Sequence, residues 1–244
     1  MKVSRKQVES YYYGQPAFSS AKYLFIKRVA RLAAYRPYLA DVRDFGNVWQ
    51  GISGTFQGEQ VSIVASGIGP SMIGDAVYAL DRPNAICLYS GTCGGLVNGM
   101  AIGDYFVAKR AVCGDGFSLH LEHRAWAIVT GNPPLLNALT GLLAKRVARM
   151  HCGVAFTTAS VVCEADTDFW SKVDERCVAI EMGAAALYAA AQVNGKRAAA
   201  YYWVTDLPRQ GKSFFDPLTP EEIATKQACC DQTVALDLEL LASL

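Results

Sequence analysis

The sequence predicts a single α/β domain, with a mixed, twisted central sheet flanked by helices on both faces. Three observations carry this. Short apolar, β-branched runs at 61–65, 85–88, 104–112, 154–162, 178–180 and 198–204 alternate with segments of helical spacing. Several of these runs end in glycine or in a polar residue, as strands feeding helices across a sheet do. The 244 residues contain no linker, internal repeat or low-complexity tract, and that length buries one self-sufficient core.

In chain order, residues 1–21 are polar and aromatic by turns, with Tyr11-Tyr12-Tyr13 before Gly14-Gln15-Pro16, and read as an N-terminal arm. Residues 22–244 then form the domain. A short strand at 22–26 leads to helical spacing over 28–35, stopped by Pro37. The stretch 48–66 reads as a hairpin turning at Gln57-Gly58-Glu59, and Gly67-Ile68-Gly69-Pro70-Ser71 opens a helix over 72–80. The uncharged run 85–88 passes straight into Tyr89-Ser90-Gly91-Thr92-Cys93-Gly94-Gly95. After the strand 104–112, a loop is expected at 113–116. Leu135, Leu136, Leu139, Leu142, Leu143 and Val147 form the apolar stripe of a helix over 133–150. Further strands follow at 154–162 and 178–180. An alanine-rich helix covers 184–192 and stops at Asn194-Gly195. The strand 198–204 delivers Thr205-Asp206, and Thr219-Pro220-Glu221-Glu222 carries the capping-box signature of a final helix.

Composition narrows the function classes. With 52% hydrophobic and 18% charged residues the chain is globular, and a net charge of +1 gives no electrostatic basis for nucleic-acid or anionic-membrane partners. Eight cysteines without a CxxC pair, beside three histidines, are poor material for a metal site and read as reduced, buried thiols, so no metal is expected. The opening MKVSRKQVES has no apolar leader segment and no run reaches the length of a membrane span, so a cytoplasmic protein is expected.

The chemistry gathers at 67–69, 91–95, 163–169, 181–183 and 206, all at strand ends, where ligands of α/β sheets bind. At 91–95 the glycines let backbone N–H groups approach an anion closely, and the Thr92 hydroxyl adds a donor. A tight turn with no ligand has the same local signature, so the neighbouring motifs must decide.

Taken in order, the motifs Ser66-Gly67-Ile68-Gly69-Pro70, Gly91-Thr92-Cys93-Gly94-Gly95-Leu96, Ile102-Gly103-Asp104, Asp115-Gly116-Phe117-Ser118-Leu119-His120, Ile180-Glu181-Met182 and Val204-Thr205-Asp206 resemble the nucleoside phosphorylase family. That family includes uridine phosphorylase, hexameric purine nucleoside phosphorylase and methylthioadenosine/adenosylhomocysteine nucleosidase. The resemblance implies cleavage of an N-glycosidic bond, which builds an oxocarbenium-like sugar and a negatively charged leaving base. It assigns Gly91, Thr92, Cys93 and Gly94 to the phosphate or nucleophile site, together with Arg28 and Arg43, the latter resembling an arginine donated across a dimer interface. It assigns Glu181, Met182 and Thr92 to the sugar, Phe169 to stacking on the base, and Asp206 to protonation of a purine N7. No cofactor is implied beyond phosphate as a co-substrate. The partner implied is a small-molecule nucleoside, within a homo-oligomer (a dimer or trimer of dimers) whose sites are shared across the dimer interface.

The sequence departs from the family pattern at three places. Leu24-Phe25-Ile26-Lys27 replaces the Gly-Asp-Pro before Arg28, Tyr89 replaces an arginine three residues before Thr92, and Gly183 replaces the glutamate that grips the ribose hydroxyls. The glutamine and arginine that read uracil are also absent after Phe169, where Ser171-Lys172-Val173-Asp174-Glu175 stands, so the base pocket leans to purine. Three readings stay open at this level. The first is a purine-preferring phosphorylase with an atypical phosphate and ribose site. The second is a phosphate-independent nucleosidase, with Glu9 or Glu181 as its base. The third is a non-catalytic nucleoside-binding or storage protein on the same fold.

Overall fold

The computed structural model describes residues 3–14, 22–27 and 32–244. Among these, ten strands form one sheet: β1 (Tyr23–Lys27), β2 (Ala40–Gly46), β3 (Gln50–Phe56), β4 (Glu59–Ala65), β5 (Ile86–Gly95), β6 (Tyr105–Gly114), β7 (Ile128–Thr130), β8 (Met150–Thr158), β9 (Cys177–Glu181) and β10 (Arg197–Asp206). Reading across from one edge, β2, β3, β4, β1 and β5 lie side by side. β5 then pairs in parallel with β10, which continues through β6 and β8 to β9. β9 returns to β5 through Gly94↔Ile180 and Gly95↔Ala179. Five strands therefore close into a ring, a closure that alternating apolar runs cannot reveal because it is a long-range pairing.

The period-2 alternation of strand side chains sorts the two cores. On β10, Ala198, Ala200, Tyr202 and Val204 enter one core, which also holds Ile73, Val77 and Leu187. The intervening Ala199, Tyr201 and Trp203 enter the other, with Leu135, Leu139, Leu236 and Leu240. The first core is covered by α3 (Pro70–Ala79) and α7 (Ala184–Val193), the second by α5 (Pro133–Arg146) and α8 (Pro220–Ala242). Helices thus lie on both faces, as expected. The alanines of α7 are buried all round, and the absence of bulk lets the helix lie close to the sheet and to α3. Thr219 caps α8 with Glu222 closing the box.

Three local expectations are corrected. Residues 5–13, expected in an arm, form α1 (Arg5–Tyr13), capped by Ser4 and Gln7. Its Tyr13 is fully buried and donates to the Ala76 carbonyl, and Tyr12 stacks on Trp49 at 4.3 Å. The helix contributes a corner of the core because its aromatic end finds partners far along the chain. Residues 15–21, the rest of that arm, lie outside the described residues. The loop expected at 113–116 is the end of β6 followed by α4 (Gly116–Glu122), where the Asp115 side chain accepts from Ser118 N at 2.8 Å and starts the helix. The strand expected over 154–162 ends at Thr158, and a 3-10 turn (Val161–Ala165) begins after Ser160 caps it.

Candidate active site

The register of β5 against β10 builds the site. Trp203 lies opposite Thr92 and Asp206 opposite Gly94, so the glycine-rich end of β5, expected as a turn but paired as strand, and the strand-terminal aspartate become neighbours although 112 residues separate Gly94 from Asp206. Asp206 is buried, and the Thr205 hydroxyl donates to its Oδ1 at 2.7 Å. A Cβ at Gly94 would stand 2.8 Å from Asp206 Oδ2 and 2.9 Å from Ile180 Cγ2, closer than real contacts allow, so glycine is required there.

These residues line a cavity of about 250 Å³. Its wall includes Thr92, Cys93, Gly94, Glu181, Met182 and Asp206, with Tyr89, Ile68, Glu164 and Phe214 completing much of the rest. A second cavity of about 420 Å³ shares Thr92, Thr205 and Phe214 with the first. It is lined by Gly91, Ser90, Lys27 and Trp203, and by α8 residues including Lys226. Thr92, Thr205 and Phe214 thus stand between two compartments, one with carboxyls and one with lysines.

Glu181 reaches the cavity wall, but its carboxylate is committed inside the protein. It accepts from the Thr157 and Tyr202 hydroxyls and from the backbone N–H groups of Gly183 at 2.5 Å and Ala184 at 2.8 Å. The last two are the free donors that open α7, so Glu181 works as an internal cap on that helix. Burial pushes its pKa above the usual range, and those four hydrogen bonds oppose the shift. Its oxygens thus have partners inside the protein while the residue keeps its place on the wall beside Met182. Met182, half-buried, keeps a place on the wall. Burial also pushes the Cys93 thiol well above its usual range, with Asp206 and Glu181 adding to the shift, so it stays neutral and is no thiolate nucleophile.

Other expected residues fall elsewhere. Phe169 does not line the cavity; it packs edge-on against Phe156 at 6.0 Å and Trp170 at 5.3 Å, in a small cluster with Val173. Its expected stacking role is corrected, and the aromatic that does line both cavities is Phe214. Arg43 is exposed on β2 and lines neither cavity. Arg28 lies outside the described residues. Glu9, considered as a hydrolytic base, receives the Asp81 N–H and lies near Lys196, at the start of β10. Asp206 closes that strand ten residues on, so the two carboxyls stand ~30 Å apart at strand rise.

The carboxyl that residue-by-residue reading missed is Glu164. It is half-buried on the cavity wall, and burial together with the charge of Asp206 pushes its pKa up to about 7. The only sequence signal was its place in the stretch 163–169 after a strand end. Among the described residues no cluster of three or more side chains could hold a metal ion, and no helix is long and apolar enough to cross a membrane.

Comparison with known proteins agrees with this architecture. A sequence model of the phosphorylase superfamily matches residues 26–235. Guanosine phosphorylase of Halorubrum lacusprofundi is 30% identical over 178 residues, covering 72% of this chain and 71% of that protein. A DeoD-type purine nucleoside phosphorylase of Listeria welshimeri is 31% identical over 182 residues, covering 69% and 74%. Among solved structures, uridine phosphorylase of Vibrio fischeri superposes with a TM-score of 0.76 at 16% identity, covering 92% of each chain. The 5'-methylthioadenosine/S-adenosylhomocysteine nucleosidase of Neisseria meningitidis superposes at 0.70 with 17% identity, covering 91% of this chain and 99% of that one.

Proposed function

The chain belongs to the phosphorylase superfamily, and from that premise we propose that it cleaves the N-glycosidic bond of a purine nucleoside by phosphorolysis. The observation that carries this reading is the buried Asp206 carboxyl on the wall of the 250 Å³ cavity, paired with Gly94 at the end of the strand that carries Thr92. The leaving heterocycle lies against Asp206, which supplies a proton or a short hydrogen bond as negative charge develops. Met182 packs under the sugar, and the Thr92 hydroxyl with the backbone of 91–94 positions the phosphate on the sugar's other side, toward the compartment of Lys27 and Lys226. Purine is favoured because the curated relatives quoted above are named for guanosine and purine nucleosides and because 171–175 lacks the residues that would read uracil.

Arg43, exposed on β2, is assigned to a neighbouring copy's site in a homo-oligomer, a dimer or a trimer of dimers. Light scattering on Arg43→Ala, combined with its phosphate KM, tests that assignment.

One observation favours hydrolysis as the second reading. Tyr89 stands where phosphorylases carry an arginine, and among the described residues no cation lines the 250 Å³ cavity. The deciding experiment incubates the protein with a panel of purine and pyrimidine nucleosides, with and without phosphate, and follows free base. Phosphate-dependent release from purines supports phosphorolysis, and phosphate-independent release supports the nucleosidase. Binding without release supports a non-catalytic nucleoside-binding protein and defeats both.

A further inference from the structure

On the phosphorolytic reading the phosphate turns toward the cavity of about 420 Å³, and a buried cation stands in that cavity's wall. Strand register puts it there. β1 runs parallel to β5 with Phe25 opposite Leu88 and Lys27 opposite Ser90. β10 flanks β5 with Tyr201 opposite Ser90 and Trp203 opposite Thr92. Phe25, Leu88, Tyr201 and Trp203 enter the core beneath α8. By the period of two, Lys27, Ser90 and Thr92 share that face, and all three line the cavity. A lysine thus ends a strand whose preceding residues, Tyr23 to Ile26, are all core.

The Lys27 ammonium donates to the Ser90 hydroxyl and to Oδ2 of Asp237 on α8. Asp237 is fully buried and stands behind Lys27, off the cavity wall. It also accepts from the Tyr35 hydroxyl at 2.5 Å and the Tyr201 hydroxyl at 2.7 Å. Burial pushes the Lys27 pKa down, and the charge and hydrogen bond of Asp237 oppose that shift. A carboxylate in contact is what lets a lysine this deep keep its proton. An ammonium carries three donors, and Ser90 and Asp237 take two of them. For packing alone the pair is dispensable, since apolar residues of similar volume often stabilise a fold as well or better. A charged lysine on a cavity wall calls for an anion.

We propose that Lys27 binds inorganic phosphate in the 420 Å³ cavity beside Thr92, with Ser90 and Asp237 as the residues that position its ammonium. The inference rests on the phosphorolytic reading for the identity of the anion. The third donor of Lys27 makes a charge-assisted hydrogen bond to a phosphate oxygen, a contact roughly twice as strong as a neutral one. Ser90 fixes the ammonium from one side and Asp237 from another, so little side-chain freedom is lost when phosphate arrives. The Tyr35 and Tyr201 hydroxyls hold the Asp237 carboxylate on the far side of Lys27, where its repulsion of the phosphate is weakened by distance and by their hydrogen bonds.

The test is ³¹P NMR titration of inorganic phosphate into the full-length wild type, Lys27→Met/Asp237→Leu and Ser90→Ala, each with and without hypoxanthine as a free purine base. The double variant removes cation and counter-ion together, which keeps the fold, and thermal unfolding verifies this. Its phosphate affinity is expected to fall by at least about tenfold, the worth of one charge-assisted hydrogen bond, and that of Ser90→Ala by about two- to tenfold. Phosphate should also raise the thermal midpoint of the wild type more than that of either variant. A folded double variant whose phosphate affinity stays within about twofold of wild type overturns the site. So does a wild type that takes up no phosphate with or without hypoxanthine. Should the double variant fail to fold, Ser90→Ala decides, and unchanged affinity there overturns the site. Phosphate bound through Lys27 with no base released from any nucleoside refutes the N-glycosidic reading and leaves the anion site standing. Phosphate-dependent base release with an unchanged phosphate KM in the double variant does the reverse.

Discussion

The ring of Tyr89 lies against the backbone of Gly183: a Cβ at 183 would stand 3.1 Å from Tyr89 Cε1 and 2.5 Å from Ile73 Cδ1. Tyr89 also leans over Gly91, where a Cβ would meet its hydroxyl at 2.9 Å, and it meets Tyr202 edge-on at 5.6 Å. The two departures from the family pattern, a tyrosine for an arginine and a glycine for a glutamate, are therefore one packing solution. Ile73 and the Tyr89 ring together occupy the space that a side chain at 183 would need.

That contact predicts coupled stabilities. Gly183→Ala is expected to cost about 1–3 kcal/mol by overpacking. In a Tyr89→Ala background it should cost less, with a coupling energy of about 0.5–3 kcal/mol. Denaturant midpoints of the four proteins in the cycle measure it, and strictly additive costs would contradict the shared-space account.

Asp206→Asn removes the proton while keeping the shape. Base release from purine nucleosides is expected to fall by about 10²–10⁴-fold, the usual worth of a general acid, with the thermal midpoint little changed. Full activity in this variant would remove Asp206 from the chemistry.

Glu181 should behave as a structural residue. Its Oε2 accepts from Tyr202 and from the N–H groups of Gly183 and Ala184. The amide of Glu181→Gln can serve that oxygen's partners or those of Oε1, but not both, at a cost of about 1–3 kcal/mol. The readout is thermal stability together with hydrogen exchange at the first turn of α7, and a variant as stable as wild type would return Glu181 to the list of sugar ligands.

The pair Lys27 and Asp237 is buried on the opposite face, with Asp237 also receiving the Tyr35 hydroxyl at 2.5 Å and the Tyr201 hydroxyl at 2.7 Å. Lys27→Met leaves a buried carboxylate without its cation and is expected to cost about 3–5 kcal/mol. The double variant Lys27→Met/Asp237→Leu should recover most of it, and equal losses in single and double variants would show that the pairing itself is not what matters.

Glu164 leaves a signature in stability against pH. Its folded pKa of about 7 stands above the ordinary 4.5, so the folded state binds more protons between these values and stability falls as pH rises through that window. Glu164→Gln should flatten the decline of thermal midpoint between about pH 4.5 and 7, and an unchanged slope would argue against a buried, raised carboxyl there.

Much of this protein was legible in its residues. The alternation of apolar runs and helical spacings gave strands and helices at close to their observed places, since 2-residue and 3.6-residue periods are local properties of the chain. The capped start of α8 was readable for the same reason, whereas the turn expected at 91–95 is the end of β5, held extended by its pairing with β10 and β9. Composition and motif order carried the family, because glycines at strand ends reflect backbone approach that no other residue permits. What escaped was whatever depends on residues distant in sequence. α1 became part of the core because Tyr13 meets Ala76 and Trp49. Phe169 turned inward because Phe156 and Trp170 offered an aromatic cluster, and Phe214 took the cavity wall.

The chain alone determined the class of fold and the aspartate that ends the last strand, since each follows from side-chain pattern over a few residues. Only the tertiary structure decided that Asp206 faces Gly94, that Glu181 spends its carboxylate on α7, and that Glu164 stands in the same cavity as Asp206. Strand register and sheet closure bring these groups together, and both are set by packing across the whole domain rather than by any local stretch.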